Sequence, residues 1–370
     1  MTDVVLAPDK FKGSLTAPRV AAHLATGMRA ADPHLRVVSV PVADGGDGFM
    51  AAAVGAGYRM VRVPASGPTG EPLTGGYAER DGTAVIELAD TAGLARLPGG
   101  RPAPLRATSA GTGQVIRAVL DAGCRTLLLG LGGSACTDGG AGMLTALGAR
   151  LLGATGPGGA GLLSAHTLDL RGLHPGLMSA TVVVAGDVAN PLLGPTGAAQ
   201  VYGQQKGASL AEVAVLERGL SRWAELVYAA TGRELAGQPG AGAAGGVGFG
   251  AMAVLGASAR RGIDVVLEMT GLARRLAGAR LVVTGEGSLD EQTGYGKAPA
   301  GVAALAAAEG IPVVAVAGRC TLSEGQLRAI GITAGYSLLD LQPDRQRCMA
   351  EAGPLLQRVG ADLARRWLGR

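Results

Sequence analysis

Aromatic side chains are scarce in this chain: 2 Trp, 6 Tyr and 3 Phe among 370 residues. Single-strand nucleic-acid surfaces stack bases on aromatics set among basic residues. With a net charge of only +4, no nucleic-acid partner is expected, and a small-molecule ligand is the better default. Lysine is scarcer still. Of 33 Lys and Arg, only Lys10, Lys12, Lys206 and Lys297 are lysine. A compact ammonium and a planar guanidinium serve phosphates differently, so lysines kept in an arginine-preferring chain are candidates for ligand contact. All four fall in glycine-containing turns. The four cysteines, at 124, 136, 320 and 348, form no CxxC pair and no metal-finger spacing. No signal peptide precedes the apolar run at 4–6, and the expectation is a reducing, cytoplasmic setting. The four histidines show no HxxxH spacing.

Charged residues make up 17% and hydrophobic ones 48%, which excludes disorder and allows two domains, each with a core. Residues 235–259 carry no charge and are long enough to cross a bilayer. Eight of those 25 residues are Gly, however, and Pro239 sits near the start. Gly and Ala transfer weakly into lipid, so we expect a glycine-rich turn leading into a closely packed buried helix, with no membrane partner.

What the chain has in abundance is glycine, 63 residues, many of them where an apolar run ends. Such loops let backbone N–H groups approach a ligand closely. The pattern strand, turn, helix opens the chain: an apolar run at 4–7, Gly13 and Ser14, then Thr16 and Pro18 as a helix start. A second run at 35–42 ends in ADGGDG before an Ala-rich helix, the alternation of a parallel sheet. Runs at 60–64, 75–78 and 84–88 read instead as an antiparallel meander. Helix and strand alternate again near the C-terminus, with runs at 281–284, 312–317 and 334–339. The expected class is α/β: a doubly wound, Rossmann- or flavodoxin-like parallel-sheet domain built from both chain ends, residues 1–70 plus 280–370. A mixed α/β domain, 71–279, is inserted between them. The run 126–131 suits either sheet.

In parallel sheets, ligands bind beyond the carboxyl ends of strands. There the first strand delivers Asp9, Lys10, Lys12 and Ser14, and the second Asp44 and Asp47. A strand ending at Thr284 delivers Glu286, Ser288, Asp290 and Lys297. GLGGSACTDGG, from Gly130, follows an apolar strand, so the N–H groups of Gly132, Gly133 and Ser134 can cradle phosphate oxygens. Its GxGxxA spacing also fits a dinucleotide-dependent dehydrogenase, but no acidic residue ends a following strand about 20 residues on. GDVANPLL, from Gly186, sets Asp187 directly after a buried strand. Asp44 and Asp47 suit capping of the following helix as well as function, and Asp138 reads as a helix cap. Lysines, acids and glycine loops together suggest phosphoryl transfer. GxxxxGK[ST], HRD and DFG are absent, so the familiar kinase lineages are excluded, while a non-catalytic binding protein stays open on spacing alone.

At these loops the sequence resembles the bacterial glycerate kinase family. The resemblance rests on APDKFKGSL from Ala7, VPVADGGDG from Val40, TSAGTG from Thr108 and GLGGSACTDGGAGML from Gly130. It continues through AGDVANPLLGPTGAA from Ala185, YGQQKGA from Tyr202, GAGAAGGVGFG from Gly240 and VTGEGSLDEQTGYGK from Val283. Asp47 stands where that family more often has Glu, and Cys136 and Thr137 where it often has Thr-Asn. The resemblance implies ATP-dependent phosphorylation of D-glycerate with Mg2+, in a cleft between two α/β domains, with 2-phosphoglycerate as product. The residues themselves leave C2, C3 and other small hydroxy acids open. From the chemistry we expect Asp187, Lys10 and Asp44 to be catalytic, with Asp187 orienting or deprotonating the hydroxyl. Lys10 is expected to meet either the glycerate carboxylate or a phosphate. Lys12, Ser14, Gly132, Gly133, Ser134, Asn190, Lys206 and Lys297 are expected to bind substrate or phosphate. Glu286 and Asp290, four apart around a turn, are expected to share the metal ion.

Overall fold

The computed structural model describes residues 3–369. Its strands are β1 (Val4–Pro8), β2 (Val37–Ser39), β3 (Arg59–Ser66), β4 (Pro72–Arg80), β5 (Thr83–Glu87), β6 (Thr126–Gly130), β7 (Arg150–Leu152), β8 (Thr167–Asp169), β9 (Thr181–Ala185), β10 (Ser258–Arg260), β11 (Leu281–Leu289), β12 (Val313–Cys320) and β13 (Ala334–Ser337). The chain divides into two units. The first runs up to Asp44, takes up Ala51–Gly57 and resumes at Ile263; the second comprises Gly45–Met50 and Tyr58–Gly262.

The first unit holds a wholly parallel sheet in the order β13-β12-β11-β1-β2. Val4, Leu6, Val283 and Val316 are buried in its core with Val20, Leu24 and Met28 of the helix Ala17–Ala31, and with Leu356 and Val359 of the helix Ala352–Leu368. Each such side chain, fully buried, stabilises by about 1.5–3 kcal/mol. The two helices approach so closely that a Cβ at Gly27 would meet the Gln357 carbonyl at 1.9 Å.

The second unit holds a mixed sheet, β10-β9-β6-β5-β4-β3, in which β10, β9, β6 and β5 run parallel and β5, β4 and β3 form the antiparallel meander. The strand at 126–130, of open allegiance in the sequence, belongs here, between β5 and β9. β7 and β8 make a separate two-stranded ribbon. Ile86, Ile116, Leu129, Met143, Trp223 and Phe249 are among its core residues.

Two expected boundaries move. The first, near 70, falls too late because β3 pairs along its whole length with β4 and so joins the second unit's sheet. The second, near 280, also falls too late. The helix Gly262–Thr270 packs on the helix Ala298–Ala308, where a Cβ at Gly301 would stand 2.4 Å from the Ile263 side chain.

The uncharged 235–259 stretch contains the helix Ala243–Leu255. No helix among the described residues is long and apolar enough to cross a membrane. Its glycines serve close packing: a Cβ at Gly245 would lie 2.2 Å from the Cys136 carbonyl, and one at Gly246 would lie 2.8 Å from the Gly139 Cα. Both residues also have positive φ, 69° and 90°.

Candidate active site

In the first unit, parallel pairing brings the carboxyl ends of β1 and β11 together. Pro8 is in register with Gly285, so Asp9 follows beside Glu286. β11 extends to Leu289 rather than ending at Thr284, because β12 continues to pair with it after β1 has stopped, and Glu286 and Ser288 are therefore strand residues. Asp9 is buried, and its Oδ1 accepts the Lys10 N–H at 2.6 Å. Burial, reinforced by the charges of Asp44 and Glu286, pushes its carboxyl up to about 7 despite Lys10. Glu286 is raised by burial too, against the Thr293 hydroxyl, which donates to Oε1 at 2.6 Å, and the Lys297 ammonium. Lys297 Nζ stands 3.9 Å from Glu286 and 3.8 Å from Asp290, so the two expected metal carboxylates share one cation of the protein itself. Asp290 also caps the short helix Glu291–Tyr295 through the Gln292 N–H. Lys12 is exposed, whereas the Ser14 hydroxyl donates to the Met349 carbonyl at 2.8 Å.

In the second unit the loop after β6 is held from several sides. Leu94 N–H donates to the Gly133 carbonyl at 2.9 Å, and Ala135 N–H to the Ala92 carbonyl at 2.8 Å. A Cβ at Gly132 would lie 2.5 Å from the Gly46 Cα, so the backbone at Gly46 packs directly against this loop. Among the described residues none accepts a hydrogen bond from the N–H of Gly132, Gly133 or Ser134. Three successive donors at a strand's carboxyl end are the kind of backbone group that can take an anion. Gly133 is exposed, so the tip is open to solvent.

Asp138, expected as a helix cap, does more than that. Its buried carboxylate accepts from the Thr108 hydroxyl, from the Ser109 N–H and hydroxyl, and from the Gly140 and Gly142 N–H groups, all at 2.8–3.2 Å. It ties the TSAGTG motif to the glycine loop. Lys206, expected at the substrate, lies buried beneath that loop, where its ammonium donates to Ser134 Oγ at 2.9 Å and to the Cys136 carbonyl at 2.6 Å. Burial lowers its pKa, opposed by Cys136 and Asp138. Desolvation pushes the Cys136 thiol up.

Asp187 is exposed just past β9, and its Oδ1 accepts the Gly262 N–H at 3.1 Å. Asn190 spends its amide on neighbours that follow it in the chain, donating to the Thr196 carbonyl and accepting from the Tyr202 hydroxyl, both at 2.7 Å. The register Glu87, Gly130, Ala185, Arg260 aligns the ends of four parallel strands, so Asp187 and the glycine loop share one rim of this unit. The cap at the N-terminus of the helix Phe49–Gly55 is Glu87, which accepts from the Gly48 and Met50 N–H groups at 3.3 and 3.2 Å. Asp44 is half-buried and Asp47 exposed. Glu87 escaped notice in the sequence because a cap delivered from another strand leaves no local motif; its one signal is an acid ending an apolar run.

The chain is similar to known proteins along nearly its whole length. The sequence model of the glycerate kinase family matches residues 4–368. The chain is 39% identical to a glycerate kinase of Bacillus subtilis over 98% of this chain and 96% of that one. It is 42% identical to a glycerate 2-kinase of Escherichia coli over 91% and 90%. A crystal structure from Salmonella typhimurium LT2 described as glycerate kinase 2 superposes with a TM-score of 0.84 at 38% identity, covering 98% and 97% of the two chains. With its mixed α/β fold and parallel sheets, this enzyme belongs to the glycerate kinase family.

Proposed function

We propose that the enzyme transfers the terminal phosphoryl group of ATP to D-glycerate, at the 2-hydroxyl, giving 2-phosphoglycerate and ADP. The observation that carries the reading is the run of three N–H groups, Gly132 to Ser134, without acceptors among the described residues, in a chain of this family. Phosphoryl transfer asks the protein mainly to position reactants and neutralise charge. The glycine loop would hold phosphate oxygens. Asp187, hydrogen-bonded to the Gly262 N–H, would take the proton as the glycerate oxygen attacks the terminal phosphorus and the bond to the ADP oxygen breaks. Lys10 would offset either the glycerate carboxylate or a phosphate, with Asp44 completing the acidic rim around Asp9. Lys12, Ser14 and Lys297 would complete the first unit's contacts with substrate.

For Mg2+, the donor chemistry fits in part. Glu286 and Asp290 offer the oxygen ligands a hard cation takes, and a cation beside Glu286 would favour the charged form that burial disfavours. Among the described residues no three acidic, His or Cys side chains are grouped to hold a metal alone. The remaining ligands would be phosphate oxygens and water, the usual arrangement for this ion. Bound there, Mg2+ would neutralise charge on the phosphates.

Purified protein with ATP and D-glycerate tests the reading. ADP should form above a no-glycerate control, and phosphorus NMR should show the phosphate on C2. A product phosphorylated on C3 would make it a 3-kinase, and no ADP with D-glycerate or other small hydroxy acids would overturn the kinase reading.

A further inference from the structure

Backbone hydrogen bonds and close packing hold the segment that carries Lys206. It ends the one-turn helix Gln204–Lys206, closed by Lys206 N–H to the Gly203 carbonyl at 3.1 Å and Ala208 N–H to the same carbonyl at 3.0 Å. Gly207, at φ 90°, packs against Pro102, where a Cβ would stand 2.3 Å from the proline ring. From this fixed base the ammonium reaches two atoms of the glycine loop, Ser134 Oγ and the Cys136 carbonyl. The opposite side of the loop is tied by the backbone of residues 92–94, and its far end by Asp138 and by Trp223, whose indole donates to the Gly139 carbonyl at 2.9 Å. These bonds occupy the carbonyls of Gly133, Cys136 and Gly139, while the N–H groups of 132–134 have no acceptor among the described residues.

We infer that Lys206 is a positioning residue: from beneath the loop it holds Ser134 and Cys136, and so fixes the geometry in which Gly132, Gly133 and Ser134 present their N–H groups to polyphosphate. The inference rests on the phosphate-binding role given to that loop above. An ammonium removed from water is costly unless it is hydrogen-bonded, and both acceptors that meet the Lys206 ammonium belong to the loop, so the arrangement favours the loop conformation that presents them. Lys206 does not itself touch the nucleotide. Its removal therefore acts on ATP through the loop, while glycerate binding is spared.

The test compares full-length wild type, Lys206→Met and Ser134→Ala by calorimetric ATP titration without glycerate, by steady-state kinetics in both substrates, and by thermal melting. Lys206→Met should weaken ATP binding and raise the KM for ATP by about tenfold or more, the scale expected when a binding group is misplaced, with the KM for glycerate changed less than about twofold. Ser134→Ala keeps the buried charge and should move the same way by a smaller factor. It carries the test alone if Lys206→Met does not fold. Folded variants that keep wild-type ATP affinity, or that lose only kcat or only melting temperature, overturn the inference, as does an equal rise in both KM values. Wild type that binds ATP but phosphorylates no hydroxy acid would sink the proposed function alone, and the loss of ATP affinity in the variants would still uphold the role of Lys206.

Discussion

Asp9 and Glu286 are cross-strand neighbours: Pro8 is in register with Gly285, and the Asp9 N–H donates to the Gly285 carbonyl at 2.8 Å. Two acids brought side by side at a buried rim repel each other, and the sheet that imposes this pairing is stabilised by its core, not by the rim. The consequence is a measurable pH dependence.

The Asp9 carboxyl is raised from 3.8 to about 7, first by burial and then by Asp44. The folded protein thus binds a proton that the unfolded chain has released, and stability from this group is fullest below pH 4 and is lost as pH rises to about 7. If the whole shift is realised, the loss is about 4 kcal/mol. Asp9→Asn, which cannot ionise, should therefore be more stable than wild type at pH 8, with a smaller difference near pH 5. Denaturant midpoints for both proteins at the two pH values check this, and a pH-independent difference would contradict it.

Lys10 follows Asp9 at the same rim, and its ammonium is expected to face an anionic group of substrate. Lys10→Arg retains the charge but replaces a point charge with a planar fork. Activity should fall by at least about a hundredfold, the scale of misplaced reactants, with an unchanged melting curve. Near-normal turnover would remove Lys10 from the site.

The Thr137 hydroxyl is buried and has no hydrogen-bond partner among the described residues. Replacing an unsatisfied buried polar group with an apolar one of the same shape is near neutral or stabilising. Thr137→Val should match or exceed wild-type stability by up to about 1 kcal/mol, where most buried substitutions destabilise. Thermal melting decides, and a loss above that size would mean that the hydroxyl has a partner in solution.

Much of the fold was legible because apolar runs such as 4–7 and 281–284 are continuous, as strands buried on both faces must be. The full extent of β11 was not, since Gly285, Glu286, Gly287 and Ser288 look like loop; Gly285 is still in register with Pro8 of β1, and beyond it the strand continues because β12 pairs alongside. The glycine loop at 130–140 was legible as a loop that follows a buried strand, and β6 ends at Gly130. The burial of Lys206 was not legible for a physical reason: a lysine in a glycine-containing turn looks the same whether it faces solvent or lies under a distant loop, and residues 134 and 136 decide which. The close packing of Gly245 against Cys136 is likewise a contact between residues far apart in sequence.

Asp187 and Asp290 are assigned different work, and their surroundings differ accordingly. Asp187 stands exposed past β9 with the Gly262 N–H fixing one oxygen, suited to receiving a proton from a bound hydroxyl. Asp290 lies 3.8 Å from Lys297, which also faces Glu286, a setting suited to cations. Hydroxyl activation matters in the transition state more than in nucleotide binding. Asp187→Asn should accordingly lower kcat by about 10²–10⁴-fold, the range of general-base contributions, while ATP affinity stays nearly intact. Asp290→Asn should instead raise the KM for Mg-ATP and the Mg2+ concentration needed for half-maximal rate. Rates measured across a Mg2+ series for both variants separate the roles. A shifted Mg2+ requirement in Asp187→Asn alone would reverse the assignments, and full activity in both variants would move the site elsewhere.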